Sequence, residues 1–373
     1  MMHSHRAWRW LCCAALLLVV GSALVHAQQR PRLTTILNGR ATVPLQPLST
    51  VWLYLEADGA RQEPLVTERA VYVPLRSGKV IALARQDGAR LWETSPGVAL
   101  TANLYRLGNR LVACASRPAA DGVGAMGIVR WLDLETGVVQ REITLPAPIT
   151  SNLVSDGARL YARLGEKAIV ALDPDTFSIT WQVDGDFTEA LACDRDLVVV
   201  STPSGELWSL RAVDGSRQWR CFLGARPGPA TGDDKWVYCG TERGEVVAIQ
   251  RTTGRIQWRR RTGGAITAPP LVYSNWVLVA SYDNFLYALD GQTGELRWRQ
   301  QMAGRLTRQP AWLTDATFAV AALDDREITI VNSSDGRVVA RWRLDTERVF
   351  SALHISNGLV VMGTERGIAA VKL

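Results

Sequence analysis

The sequence predicts an all-β chain closed into an eight-bladed β-propeller of four-stranded blades, and three observations predict it. A frame, Ala-x-x-x-x-[Thr/Asp]-Gly-x-x-x-Trp, returns about every 40 residues, the kind of fixed period that marks a blade array. The last copy is cut short at the C-terminus, and its missing strand stands near the N-terminus, so the repeat wraps round. The intervening runs are short, β-branched and aromatic, bounded by Gly, Asn and Asp, with no long helical periodicity.

In chain order, residues 1–27 read as a signal peptide. Arg6 and Arg9 precede an apolar run over 11–24, and Val25-His26-Ala27 is a small-x-small cleavage signal. The run is shorter than the ~20 residues of a comfortable membrane span. A retained anchor is the alternative reading. Cys12 and Cys13 sit inside the run without a lipobox, so no lipid anchor is expected. Residues 28–45 are an N-terminal extension and 46–373 the propeller.

Val51-Trp52-Leu53-Tyr54-Leu55 supplies the strand that completes the C-terminal blade. At the other end Gly363-Thr364-Glu365-Arg366-Gly367 repeats Gly240-Thr241-Glu242-Arg243-Gly244, and the chain stops where a hairpin turn is due. Closure by an N-terminal strand leaves no gap in the ring. The turn markers fall at 88, 137, 177, 215, 254, 294 and 336. At the third marker Phe177 takes the Gly slot. Arg141 and Ala340 take the Trp slots of blades two and seven, which are therefore expected to be looser. The one internal insertion falls at residues 117–124, between the second and third strands of blade two. In blade six the four strands are expected at 265–273, 276–280, 285–289 and 295–301.

Trp52, Trp92, Trp181, Trp219, Trp258 and Trp298 are read as blade-docking residues. An outer-strand indole lying flat between neighbouring sheets buries on the order of 150–250 Å², and its N–H then needs a carbonyl. The Thr or Asp before the turn Gly can fix the loop by local hydrogen bonds.

Composition excludes more than it suggests. The chain has 42 Lys+Arg against 36 Asp+Glu, a net charge of +6, with only four lysines. Acids are interspersed with the arginines, which reads as a compositional preference, and no nucleic-acid partner is expected. Outside the signal segment His354 is the single histidine, so a Ser/His/Asp triad or a histidine metal site would rest on it alone. It is read as packed or lining the channel. Asp184, Asp186 and Glu189 are read as solvated turn acids. No phosphate loop and no C-x-x-C pair occurs. No catalytic, cofactor-binding or metal residue is assigned. Cys114, Cys193, Cys221 and Cys239 allow three pairings; a Cys221–Cys239 link and buried free thiols both stay open. The run Arg259-Arg260-Arg261 together with Arg305 is a candidate interaction face, with a solvated outer strand as the plainer alternative.

The repeat Ala-x-Asp-x-x-Thr-Gly-x-x-x-Trp resembles the tryptophan-docking motif of the pyrroloquinoline-quinone (PQQ)-like propellers. Its Asp stands at Asp133, Asp173 and Asp290 and is replaced by Ala84, Arg211, Gln250 and Asn332. The resemblance implies two branches. Quinoprotein dehydrogenases hold PQQ and Ca²⁺ under an adjacent Cys-Cys ring; here the only such pair is Cys12-Cys13. The other branch, typified by BamB, is non-enzymatic and assists outer-membrane protein assembly. The reading adopted is a non-catalytic scaffold without a cofactor, exported to the periplasm or beyond, monomeric, and without a membrane span in the mature chain. Its partners would be envelope proteins such as the barrel-assembly machinery. A PQQ-binding or ligand-sensing propeller is the alternative.

Overall fold

The computed structural model describes residues 34–36, 45–47, 49–56, 62–95, 98–119, 124–188, 190–323, 326–344, 348–349, 351–364 and 367–372. The expected signal segment, and residues 59–61, 96–97, 120–123 and 189, lie outside them. Residues 34–373 form one compact unit.

Eight antiparallel sheets follow one another, a β-propeller of eight blades with no helix among the described residues. Blade one runs from Leu65–Val66 to Arg90–Thr94, blade two from Tyr105–Leu107 to Val139–Leu145, and blade three from Val154–Ser155 to Ile179–Asp184. Blades four to seven end on the outer strands Arg217–Phe222, Ile256–Arg261, Leu296–Gln301 and Val338–Arg343. Blade eight takes His354–Ser356, Leu359–Thr364 and Gly367–Lys372 from the C-terminus and Ser49–Leu55 from the N-terminal side. Ser49 pairs with Lys372 and Leu55 with Gly367, so the ring is closed by an antiparallel clasp.

One irregularity recurs in all eight blades. The ladder between third and fourth strands slips by one residue immediately before the Trp slot: Leu83 faces Arg90 but Ala82 faces Trp92, and Leu289 faces Leu296 but Ala288 faces Trp298. The same bulge stands at Val51, Gln140, Thr180, Gln218, Gln257 and Val339. An extra residue bends the strand and re-aims the next side chain. The bulge thus turns each Trp toward the neighbouring blade.

Two details depart from the sequence reading. In blade six the inner strand is only Leu271–Tyr273, because Pro269 and Pro270 cannot donate to a ladder. Residues 265–266 instead bridge the seam, Ile266 N–H donating to Thr241 O and Ala265 O accepting from Tyr282. The expected extension, with the first two residues assigned to the propeller, also supplies structure. Thr34–Ile36 adds a parallel fifth strand to blade six, and Leu45–Pro47 one to blade seven. The insertion in blade two lengthens its flanking strands to nine residues each, Arg110–Pro118 and Ala125–Asp133.

Candidate functional site

The six tryptophans dock across the seams. Nε1 of Trp52 donates to Arg85 O at 2.9 Å, Trp92 to Leu134 O at 3.3 Å, and Trp181 to Ala212 O at 2.9 Å. Trp219 donates to Arg251 O at 2.7 Å, Trp258 to Gly291 O at 2.9 Å, and Trp298 to Ser333 O at 3.1 Å. Each acceptor lies three residues before the turn marker of the next blade. At Gly294, φ is +70° and a Cβ would come within 2.6 Å of the Trp258 ring, so both backbone conformation and space require glycine there. Opposite each Trp, on its own blade's third strand, stands a small residue: Ala370, Ala82, Ala171, Ser209, Ala248 or Ala288. The Ala of the repeat therefore makes room for the indole.

In blades one, three and five a tyrosine reaches the same carbonyl. Tyr72 donates to Leu134 O at 3.0 Å, while Tyr161 and Tyr238 share their one hydroxyl proton between Ala212 O and Gly291 O, at 3.1 and 3.2 Å, and the Asp156 and Asp233 carboxylates, at 2.7 and 3.1 Å. Sequence reasoning passed over these tyrosines. Their shared second-strand position, facing the small residue, was the available signal.

The seam from blade two to blade three is filled by other means. Arg141 faces Trp131 rather than an alanine, and its guanidinium lies 4.7 Å from the Trp131 ring centroid. Arg110 approaches the same ring at 5.5 Å. Phe177, in the marker slot at φ +56°, packs edge-on to Trp131 with centroids 5.3 Å apart. Trp131 and Phe177 are 4% and 1% exposed, so this seam is closed, not loose. In blade seven the Trp slot, Ala340, faces Ile330. In blade eight the third and fourth strands, Gly367–Lys372 and Ser49–Leu55, come from different chain segments, so no hairpin turn joins them to receive an indole.

Motif carboxylates work locally. Asp173 Oδ1 accepts from the backbone N–H groups of Asp175 and Thr176 and from the Thr176 hydroxyl. Asp133 makes the same set with Glu135 and Thr136. The Thr176 bonds hold the Asp173 carboxyl below the usual carboxylate range.

Two seams hold a cleft. Between blades four and five a cavity of about 210 Å³ is lined by Cys193, Asp194, Gly232 and Arg251. Arg251 sits just after its blade's third strand and is 7% exposed. Its guanidinium binds the Asp194 and Asp196 carboxylates in the preceding blade's first hairpin, and its carbonyl accepts from Trp219. The Arg251 bond holds the Asp196 carboxyl below its ordinary value. Arg85 repeats the arrangement between blades eight and one, where its guanidinium donates to Ser356 O beside a cleft of about 360 Å³.

The candidate basic run divides. Arg259 reaches back toward blade four, donating to Leu223 O at 3.0 Å and pairing with Glu245 at 2.9 Å. Strand alternation puts Arg261 on that face and half-buried Arg260 on the other. Arg305 is exposed in the connection from blade six to blade seven, its carbonyl accepting from Leu323 N–H.

His354 lies on the inner strand of blade eight with Nε2 buried and unpartnered. Burial pushes its pKa down, opposed by nearby Glu63, which pairs with Arg308 at 3.4 Å. Among the described residues the four cysteines are free thiols, and burial pushes Cys114 and Cys239 up to about 12. PQQ with its calcium would need converging oxygen ligands. Among the described residues no three His, Cys, Asp or Glu side chains converge. No helix of the described residues is long and apolar enough to cross a membrane.

A family profile described as outer membrane protein assembly factor BamB matches residues 125–228 and 223–371. The chain is similar to the protein of that name from Moranella endobia, 23% identical over 237 residues, which are 58% of this chain and 50% of that protein. It is also similar to the one from Alteromonas naphthalenivorans, 28% identical over 111 residues, 30% of this chain and 22% of that protein. The chain thus spans half or less of the curated relatives it matches. Among solved structures, BamB from Moraxella catarrhalis superposes with TM-score 0.67 at 18% identity, covering 87% of this chain and 97% of that one. A computationally designed protein, Ika8, superposes with TM-score 0.73 at 15% identity, covering 87% and 100%. The designed ring marks these superpositions as a likeness of fold. The profile match, running from the third strand of blade two through blade eight, places the chain in the BamB family of PQQ-like propellers.

Proposed function

We propose that this propeller is a non-catalytic scaffold of the cell envelope that assists outer-membrane protein assembly. The observation that carries the reading is the BamB-family match across residues 125–371. The seam chemistry agrees with it. The tryptophans, the tyrosines and the bonded arginines are engaged in holding blades together, and the cleft between blades four and five carries an internally paired Arg–Asp cluster. The signal-like residues 1–27 fit export to the periplasm, and the barrel-assembly machinery is the expected partner. Exposed Arg261 and Arg305 are the part of the basic face free of the structural bonds that hold Arg259.

In-cell cross-linking in the native envelope, followed by co-purification and mass spectrometry, tests the reading. Recovery of a barrel-assembly protein, reduced by R261E/R305E, supports it. Enrichment of no envelope protein removes it.

A further inference from the structure

Two of the eight blades are five-stranded among the described residues, and both extra strands come from one stretch of chain. Thr34, Thr35 and Ile36 lie parallel to blade six, opposite Trp298, Arg299 and Gln300. Leu45, Gln46 and Pro47 lie the same way on blade seven, opposite Arg341, Trp342 and Arg343. The other outer strands carry no such fifth strand among the described residues. Such an edge presents main-chain donors and acceptors that can template a further strand.

The two pairings are equivalent. Each covers the stretch just past the bulge, starting at the Trp slot in blade six and one residue beyond it in blade seven. The paired sequences, Thr-Thr-Ile and Leu-Gln-Pro, share no side-chain pattern, so the main chain supplies the recognition. Of the arginines in the paired stretches, Arg341 pairs with Glu327, Arg299 lies 4.9 Å from the Phe285 ring centroid, and Arg343 is exposed. The two strands that occupy the edges carry no charge themselves, and they set the kind of segment the edges take. Pro47 lacks an N–H and ends the second ladder, sending the chain into blade eight at Ser49.

We propose that the outer edges of blades six and seven form a docking site for an extended, uncharged, β-prone polypeptide segment. Residues 34–36 and 45–47 are a built-in competitor that holds the site until such a segment displaces them. A three-residue ladder is short and exchangeable, and it persists because its strand is tethered. Tethering by a short linker gives an effective concentration on the order of millimolar, which a free peptide must exceed or out-bind. The proposal rests on the scaffold reading only for the nature of the client, an unfolded barrel-forming chain. The docking itself is testable without any partner.

The probe is a fluorescein-labelled synthetic peptide of residues 30–48, read by anisotropy. The proteins are the chain from residue 28 onward, its T35P/Q46P variant, and a deletion of residues 28–47. Both variants should bind the peptide one-to-one and saturably. The full chain should bind it at least about tenfold more weakly, as a tethered competitor requires. Amide exchange at 298–300 and 341–343 should be slow in the full chain, faster in T35P/Q46P, and slow again with peptide. Equal affinity for full chain and variants overturns the proposal. So does absence of binding to T35P/Q46P when its melt retains the native transition. Neither result bears on cross-linking to the assembly machinery, so the two readings fail separately.

Discussion

At the seam between blades five and six, a buried indole lies over a turn glycine, with an alanine behind it and a carbonyl taking its N–H and a tyrosine hydroxyl. At the seam between blades two and three, every one of those parts is exchanged. The alanine becomes Trp131, the indole becomes Arg141, and the glycine becomes Phe177. Arg141 still donates forward, to Asp175 O at 3.3 Å. The volume has moved from the outer strand to the third strand and the turn, and the seam stays filled. What the ring requires is a full seam, and tryptophan at one position is only the commonest way to meet that requirement; the exchange here leaves the buried Trp131 Nε1 without a hydrogen-bond partner.

The comparison can be broken in four ways, from large effect to small. W258A removes an indole that is 8% exposed. It should cost about 3–5 kcal/mol in urea unfolding, the usual range for a buried aromatic cut to alanine. R141A should lose only about 0.5–2 kcal/mol, the worth of a cation–π contact. Equal losses would mean that the two seams are not built differently.

Next, R141W alone crowds a seam already holding Trp131 and Phe177, and should cost about 1–3 kcal/mol by overpacking. The triple variant W131A/R141W/F177G restores the common arrangement and should return to within about 1.5 kcal/mol of the parent, as volume-conserving exchanges do. A triple variant less stable than R141W would overturn the volume-transfer account.

Third, Y238F leaves Trp258 bonded to Gly291 O but removes the hydroxyl that lies between that carbonyl and the Asp233 carboxylate. The expected loss is about 0.5–1.5 kcal/mol, measured as a shift of the urea midpoint at constant slope.

The smallest effect concerns His354. Burial lowers its folded pKa below the ordinary value near 6.5. Its contribution is therefore fully present above pH ~6.5, and is lost as pH falls from there toward the folded value, where the unfolded chain takes up a proton that the folded chain refuses. Melting temperatures of parent and H354Q should diverge between pH 7.5 and 5.5, with the parent losing more. Parallel curves would show that burial does not govern this histidine.

Much of this was legible in the chain itself. The period, the eight-fold count and the terminal clasp followed from spacing alone, because Trp, turn Gly and Ala each occupy a position that the seam dictates. The bulge was not legible. It shifts every blade by the same one residue, so it leaves no irregularity in the spacing. The compensation at Phe177 was hidden for a different reason: its partner Trp131 lies 46 residues earlier, on another blade, and only packing joins them. The cleft between blades four and five depended on Arg251 meeting Asp194 more than fifty residues away. The edge strands were unreadable because main-chain pairing leaves no side-chain pattern.

The clasp has a mechanical consequence. Ser49 and Lys372 sit at the same end of their pair, so tension drawn between the two chain ends would open blade eight like a zipper, one rung at a time. The chain does not leave Ser49 freely, however. It runs first along blade seven and then along blade six, so a pull from the N-terminal side is met there before any rung of the clasp. The two three-residue ladders on those edges would give way first, so a load on the leading end of the protein loosens them before it reaches the closure of the ring.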